Sequence, residues 1–424
     1  MIAPLLGALL AASAALDPAA SEASSDAAPG LAFRGQLTWI TAGGGTLLRD
    51  TPVNPENQVL ALPQVVAQSE LRPDLRFEYA SQLAAVVRPR LQLQFQQARR
   101  RGAWGPERSA ASAEWIELYA TWRLDERLAL SYGLQNFQWG PAELVSPSNR
   151  IFHTTGFYRD PLYVVRGRHL ARVNASAGRE WSAVLLAEVA SNGEPAFVAD
   201  EPFDPKAQLK LEYAAPSGAW SVAVTAGASQ RSRAWFGEYA TLPLWAGLSA
   251  YMDAVHTVGR RAWYPVDAGR ATFAQTGMET RELRTIALGG LRYSFAGGTD
   301  LRVEYVFDQA GWDRGDLSRA SRAAAADPRL VGRFLDPGFE LLGRQLAYAS
   351  LLVPDLPPLK RTTLQARYLR SVTDGSGAAF VTASYAATDA VVAFLSTSLT
   401  HGGADGAVSR LVRGASIVGA EVNW

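Results

Sequence analysis

The sequence predicts an all-β fold, a single transmembrane antiparallel β-barrel of about sixteen strands, within a range of about 14 to 18. Three observations predict it. From Leu31 onward, segments of about ten residues alternate apolar and polar side chains. The polar faces carry long charged and amide side chains, and aromatic residues recur near the segment ends. The chain also finishes with an alternating strand that closes on Trp424.

The clearest alternation runs from Val87 to Gln96. Its apolar face carries Val87, Pro89, Leu91, Leu93 and Phe95, and its polar face carries Arg88, Arg90, Gln92, Gln94 and Gln96. Successive side chains of a strand point to opposite faces, so this segment has one apolar and one hydrated face. A soluble β-sandwich also alternates, but long charged side chains on the polar face favour a membrane barrel with an aqueous lumen.

Composition removes several other classes. The chain of 424 residues has a formal net charge of +1 and no Cys. The balanced charge gives no argument for a nucleic-acid partner. The lack of Cys excludes disulfides, thiolate metal sites and a Cys nucleophile. Beyond the N-terminal segment no run of 18 apolar residues occurs, which argues against membrane-spanning helices.

The N-terminal segment is apolar from Ile2 to Leu16 and contains Ala12-Ser13-Ala14, a plausible cleavage site. No Lys or Arg precedes Arg34, so the positive region expected of a signal peptide is missing. We nevertheless predict a signal peptide over residues 1–16, a disordered lead-in over 17–30, and one barrel domain over 31–424. Secretion to the bacterial outer membrane is therefore expected.

The strand count follows from the turns, because the short turns of such barrels all lie on the periplasmic side. Candidate short turns are residues 124–126, 178–180, 216–218, 297–299, 354–359 and 388–389. The predicted strands are residues 31–42, 70–81, 85–98, 113–124, 127–136, 166–177, 181–191, 206–214, 219–229, 281–295, 300–309, 344–352, 361–372, 376–387, 390–400 and 410–424. Residues 229–279 have room for one further pair, which would make about eighteen strands.

Three long external loops are expected, at Phe137–Val165, Gln230–Glu279 and Gln309–Leu342. Leu244–Val255 and Leu317–Ala326 have helical rather than alternating character. Long loops are often functional, so we expect one or more of them to fold inward and narrow the pore. Gly43-Gly44-Gly45 lacks the Lys-Ser/Thr of a phosphate-binding loop and is interpreted as an external turn.

The polar faces supply the predicted lumen lining. These residues are Arg76, Arg88, Arg90, Gln92, Gln94, Glu117, Arg123, Arg302 and Glu304. Further inward charges are expected at Arg168, Arg172, Arg367, Glu78, Glu188 and Glu212. The arginines favour an anion-attracting field, and the carboxylates favour ion pairs that brace the wall. Both interpretations stay open at this stage.

Covalent chemistry and metal binding are not predicted. The four His residues form no H-E-x-x-H pair, and no G-x-S-x-G is present. We therefore expect no enzyme activity, no catalytic residue, no metal and no cofactor. His169 faces outward on its strand and is interpreted as an interface residue. Arg99-Arg100-Arg101 is either a solvated loop or a contact for an anionic ligand or lipopolysaccharide.

The most distinctive loop motif runs from Gln135 to Pro141 as Gln-Asn-Phe-Gln-Trp-Gly-Pro, and continues to Ser146–Arg150. Its Trp139-Gly140-Pro141 corner and Asn149 resemble a passage in capsule-assembly and alginate-export-like barrels. The terminal strand resembles the assembly signal of bacterial outer-membrane barrels of porin type. These resemblances imply an outer-membrane protein that engages polysaccharide or small polar solutes.

The predicted function is a porin-like channel for passive passage of small polar or anionic solutes. Two alternatives stay open. A surface-polysaccharide assembly or export barrel predicts a plugged lumen and aromatic outer loops. A sheath around a periplasmic protein such as an electron carrier predicts a wide lumen free of inward loops. The expected partners are outer-membrane lipid and lipopolysaccharide, the barrel-assembly machinery, solutes or polysaccharide, and in the sheath alternative a protein in the lumen.

Overall fold

In the computed structural model, eighteen antiparallel strands among the described residues form one closed barrel. The structure describes residues 30–152, 157, 159–191, 203–218, 220–230, 234–259, 262–267, 271–275, 282–339 and 341–424. The strands are β1 (Leu31–Leu48), β2 (Val65–Tyr79), β3 (Leu83–Gln97), β4 (Arg108–Arg123), β5 (Leu128–Gln135), β6 (Arg168–Ala177), β7 (Trp181–Ala190), β8 (Lys206–Ala214), β9 (Ser221–Ser229), β10 (Trp235–Trp245), β11 (Leu248–Val258), β12 (Leu283–Ser294), β13 (Asp300–Asp308), β14 (Gln345–Val353), β15 (Thr362–Ser371), β16 (Gly377–Ala386), β17 (Val391–His401) and β18 (Val412–Asn423). Each strand pairs with the next, and β1 closes on β18 with Thr38 opposite Asn423.

The two ends of the barrel differ, as the sequence predicts. Every predicted short turn joins two strands at the end where β1 begins and β18 finishes. The long connections lie at the opposite end. This arrangement confirms the transmembrane barrel and gives the eighteen strands that the room in residues 229–279 allowed.

The outer face of the barrel is apolar. Leu93 on β3 and Val418 on β18 expose 63% and 61% of their surface. Large aromatic side chains are exposed where strands reach the short-turn end, at Trp122, Trp181 and Trp245. A hydrophobic band edged by aromatic residues is the surface that a membrane barrel presents to lipid.

The strand pair β10 and β11 corrects two expectations. Leu244–Val255 was expected to be helical and Gln230–Glu279 to be one loop, but β11 runs over Leu248–Val258, paired with β10. The inward side chains of this pair include Tyr239, Tyr251 and Val255, which are buried. Because its inner face is also apolar there, the pair lacks the alternation that identifies the other strands.

The glycine run at Gly43–Gly45 was expected to form a turn, and this was wrong. These glycines lie inside β1 at the seam with β18, where Gly44 pairs with Ile417. A Cβ at Gly44 would lie 2.3 Å from the carbonyl oxygen of Ser416. The glycine therefore permits a close approach of the two strands that close the barrel.

Described residues of several external loops pack together into a cluster that we call the external domain. Helix α1 (Arg314–Ala326) is capped by Asp313 and Asp316, and is followed by the short helix α2 (Val331–Leu335). The helix predicted at Leu317–Ala326 lies within α1 and is confirmed. Trp312 is completely buried in this domain, against Phe334 of α2 and Phe273 of a loop hairpin that pairs Trp263–Asp267 with Ala271–Gln275.

Two expectations concern the chain outside the barrel wall. Residues 1–29, which contain the predicted signal peptide and most of the lead-in, lie outside the described residues. Among the helices that the structure does describe, none is long and apolar enough to cross a membrane.

Candidate functional site

The lumen is crossed by the connection between β5 and β6, and we call residues 136–165 the inward loop. Strand β5 has only 8 residues, so the chain leaves the wall partway up the barrel. Beyond the external end of β5, the chain just before β6 lies next to β4. There the backbone N–H of Gly167 donates to the carbonyl of Ile116 on β4, which keeps the wall closed. The expected inward folding of a long loop is therefore found in the Phe137–Val165 segment.

Two buried carboxylates on the wall hold the middle of the inward loop. Glu304 on β13 accepts the backbone N–H groups of Glu143 and Leu144 at 2.6 and 2.9 Å. Asp253 on β11 accepts the Ser146 hydroxyl at 2.7 Å and the Ser148 N–H at 2.8 Å. Buried hydrogen bonds to a charged acceptor are among the stronger ones in proteins, so these contacts fix the path of the loop.

The amide side chain of Gln208 on β8 binds the loop on both sides of Asn149. Its Nε2 donates to the Ser148 carbonyl, and its Oε1 accepts the Arg150 N–H at 3.2 Å. Asn149 itself accepts the N–H groups of Ile151 and Phe152 through Oδ1. The Ser-Pro-Ser-Asn motif is thus a turn held against the wall, with Asn149 fully buried.

Glu143 adds a second contact with β13 and connects the loop to two further strands, β14 and β15. Its carboxylate accepts hydrogen bonds from Tyr348 and Ser350 of β14, at 3.0 and 2.7 Å. Arg302 of β13 and Arg367 of β15 lie 3.7 and 3.6 Å away. A loop carboxylate surrounded by wall donors and two cations resists displacement, because its release would take away the carboxylate beside the buried Arg367.

The far end of the loop reaches the opposite wall. Arg72 on β2 donates to the carbonyls of Pro161 and Leu162 at 2.9 and 3.0 Å. Arg367 donates to the carbonyl of Arg159 at 3.0 Å. The loop therefore spans the lumen from the β8–β14 wall to β2, and it divides the interior.

Apolar contacts add to these polar anchors. Trp139, Ile151 and Phe152 of the loop pack with inward-facing wall residues such as Leu170 and Leu186. A second cluster joins Ala142, Leu144, Val145 and Phe157 to inner-face residues of β10–β16. This packing explains why the inner face of those strands is partly apolar.

Gly140 forms the corner of the motif and has φ +93°. A Cβ there would lie 2.5 Å from Ser146 Oγ and 2.6 Å from Asp253 Oδ2. Only glycine fits both the backbone conformation and this close approach. After this corner, the carbonyl of Pro141 accepts a long hydrogen bond from Arg302 at 3.4 Å.

Two cavities flank the inward loop. One of about 590 Å³ includes Gly298 of a short turn in its lining, together with Arg292, Asp300 and Arg302. The other, of about 540 Å³, is lined by loop residues that include Asn136 and Tyr163. Gln138 and Arg159 line both cavities. The loop therefore narrows the lumen at these two side chains and leaves space on either side of them.

Ion pairs cover the inner face of β2–β4. Arg88 pairs with Asp74 and Glu117, and Arg90 pairs with Glu70 and Glu114. A bulge opposite Arg88 and Pro89 brings both Glu114 and Glu117 to the inner face. The sequence analysis left open whether these inner charges pair, and the structure shows that they do. In three of these four pairs the guanidinium is more exposed than the carboxylate. Arg88 is 33% exposed and Glu117 only 6%.

The other predicted lining residues lie at different heights of the same wall. Arg76 pairs with Asp74, and Gln92 donates to Gln68 in a long contact at 3.4 Å. Gln94 stands opposite Gln68 on the inner face. Arg123 donates to the carbonyl of Ser81 in a short turn, so it lies at the periplasmic rim and away from the loop. Arg172 lies over the ring of Phe137.

Several functional positions were missed by sequence reasoning. Asp253 lies in the segment expected to be helical, so its inward direction was not recognised. Arg159 and Arg292 carry no distinctive motif, and only the fold brings them to one cavity. The orientation of Gln208 follows from the alternation of its strand, but its loop partner is 60 residues away in sequence.

Two histidines make their contacts on the outer face of the barrel. His256 on β11 contacts Thr285 and Glu238 on the outer face, and His401 contacts Tyr368 there. His153 lies outside the described residues. Within the described ranges, no group of three or more His, Asp or Glu side chains is placed to hold a metal ion.

Comparison with solved structures agrees with this architecture over nearly the whole chain. Pseudomonas aeruginosa OccK11 (OpdR) aligns with TM-score 0.55 and 13% identity, covering 92% of this chain and 96% of that one. Acinetobacter baumannii OccAB1 aligns with TM-score 0.55 and 11% identity over 92% and 96%. Pseudomonas aeruginosa OpdK with vanillate aligns with TM-score 0.53 and 9% identity over 92% and 98%. No protein-family model and no curated protein sequence matches the chain.

At these identities the likeness establishes the fold. The chain has the fold of a porin-type outer-membrane β-barrel, and the predicted fold class is confirmed. The local resemblance to capsule-assembly and alginate-export-like barrels stays a prediction.

Proposed function

We propose that the protein is a passive channel for small polar solutes with a preference for anions. Solutes would pass between the two cavities, through the gap at Gln138 and Arg159. The proposal depends on a single observation: in most of the lumen ion pairs that the described residues form, the cation is more exposed than its carboxylate partner.

Three pairs on different walls support this asymmetry. Arg88 is more exposed than Glu117, as described above. Arg168 on β6 is 26% exposed and its partner Glu188 is 4%. Arg292 on β12 is 46% exposed and Asp300 is 15%. A solute in the lumen therefore meets guanidinium groups first, although the formal charges nearly cancel. Arginine donors match carboxylate and phosphate oxygens, which favours anions over cations of equal size.

The inward loop distinguishes this function from the alternatives. A sheath around a folded protein needs a wide lumen, whereas the loop contacts opposite walls through Glu304 and Arg72. A polysaccharide-assembly barrel predicts a plugged lumen, whereas cavities of about 590 and 540 Å³ remain on the two sides of the inward loop. The channel is thus the function that the geometry supports best.

Solute uptake into liposomes tests the proposal. We expect gluconate to enter faster than glucose, and glucose faster than glucosamine, because the three share a size and differ in charge. The informative variant is Arg76→Gln with Arg292→Gln. Their carboxylate partners Asp74 and Asp300 keep a second arginine, Arg88 and Arg302 respectively, so no buried charge is left unpaired.

In this double variant, gluconate should lose most of its advantage while glucose uptake stays unchanged. The matched control is Arg329→Gln with Arg361→Gln, which removes two exposed arginines outside the lumen. The control should keep the order of the native protein. Absence of uptake of all three solutes by a folded barrel would contradict the channel.

A further inference from the structure

The outer face of the barrel carries an arginine at its external rim. Arg367 and Leu369 of β15 face the lumen. Arg370 directly follows Leu369 as the penultimate residue of the strand, so its side chain points to the opposite face, toward lipid. It is exposed, and the contacts found among the described residues give it no carboxylate partner. This differs from Arg72, Arg88 and Arg90 in the lumen, which all pair with carboxylates.

The neighbours of Arg370 are small on both sides. It stands opposite Ala347 of β14 and Gly377 of β16. Beyond Gly377, the imidazole of His401 lies across the glycine, because a Cβ at Gly377 would be 2.4 Å from His401 Nε2. The small residues therefore leave room on both sides of Arg370, and His401 lies in the same row across Gly377.

Tyr368 completes the polar end of this patch. It lies two residues before Arg370 on the outer face, and its hydroxyl is 2.9 Å from His401 Nε2. The two rings are nearly parallel, with centroids 6.0 Å apart. The hydrogen bond and the ring contact hold His401 over Gly377, which pairs with Arg370.

On the outer face, the rows of paired residues that lie closer to the membrane centre than Arg370 and His401 are apolar. Tyr368 stands opposite Ala349 and Ala379, and Ala379 stands opposite Leu399, which is 60% exposed. The patch thus has hydrogen-bond donors and positive charge at the external rim and hydrocarbon toward the membrane centre. An amphipathic molecule with an anionic head and acyl chains has the same polarity.

We propose that Arg370, Tyr368 and His401 form a docking site for the phosphate group of an outer-leaflet lipid, whose acyl chains lie along the apolar rows below. Arginine and tyrosine donors suit phosphate oxygens, and an arginine at the headgroup level of a barrel costs little, whereas one at the midplane is expensive. The site is separate from the lumen, so it does not depend on channel activity.

Native mass spectrometry of the full chain in detergent tests this site. The probe is lipid A with two phosphates, and dephosphorylated lipid A is its paired probe. We expect the phosphorylated form to be retained about tenfold better, and Arg370→Gln to remove most of that difference, as expected for loss of one charge-assisted contact. Arg370→Lys should restore part of it.

The control is Arg127→Gln, which removes an exposed arginine in the short turn before β5. Its lipid retention should equal that of the native protein. Heat-modifiable migration in gels verifies that each variant is folded, and if Arg370→Gln does not fold, His401→Ala and Tyr368→Phe replace it with the same expected direction.

Three results would overturn the proposal. One is equal retention of phosphorylated and dephosphorylated lipid A by the native protein. Another is unchanged retention in the folded Arg370→Gln variant, or in both replacement variants. The third is displacement of lipid A by millimolar inorganic phosphate, which would identify a site for free phosphate.

Discussion

Replacing Gly140 by alanine tests how the inward loop is held. The new methyl group would sit at φ +93°, 2.5 Å from Ser146 Oγ and 2.6 Å from Asp253 Oδ2. The positive φ costs an L-residue about 1 to 2 kcal/mol. The Ser146–Asp253 hydrogen bond must also open, and a bond to a charged acceptor contributes about 1.5 to 3 kcal/mol. We therefore expect a loss of about 2.5 to 5 kcal/mol in the docking free energy of this segment.

The readouts are single-channel conductance in planar bilayers and proteolysis of the inward loop. Loosening of residues 139–149 should raise the mean conductance, add current fluctuations and expose the loop to protease. The far end should stay in place, because Arg72 still binds Pro161 and Leu162.

Gly218→Ala is the matched control. Gly218 lies in a short turn with φ +68°, and a Cβ there would meet nothing within 4 Å. This variant carries a backbone cost without a side-chain clash, so it should keep native conductance. A Gly140→Ala protein with native conductance and native protease resistance would refute the account of the corner.

Two further predictions concern the external domain and the wall anchors. Trp312 is fully buried among aromatic rings, so Trp312→Ala should destabilise the external loops by about 3 to 5 kcal/mol. The loops should become protease-sensitive while the barrel stays heat-modifiable. The control is Trp104→Ala at an exposed side chain, which should change neither the protease sensitivity nor the heat-modifiable migration. Asp253 and Glu304 both hold residues 143–148, so Asp253→Ala and Glu304→Ala should each increase proteolysis of the inward loop. In the double variant, the loss of loop-docking free energy should differ from the sum of the two single losses by about 1 kcal/mol. Additive effects in that cycle would show that the two anchors act independently.

The sequence predicts the barrel well wherever the two faces of a strand differ. On β3 the outer Leu91 and Leu93 alternate with the inner Arg90 and Gln92, and the structure places the strand over nearly the predicted range. On β10 and β11 the inner face contacts the inward loop and is itself apolar. Alternation disappears there for a physical reason, so the two strands were not identified.

The partners of the inner charges could not be predicted in the same way. Alternation gives the face of Arg88 and Glu117, but pairing needs the strand register. The bulge at Arg88 and Pro89 changes this register and brings Glu114 inward as well. Contacts such as Glu304 with Leu144 join residues 160 positions apart, and only the closed fold brings them together.

The central claim is an open, anion-preferring lumen narrowed by the inward loop. Its most direct test is the reversal potential of the purified native chain in a planar bilayer under a potassium chloride gradient. We predict discrete open steps and a reversal potential of the sign that chloride preference gives. A folded barrel that shows no conductance, or one that prefers potassium, would contradict the account.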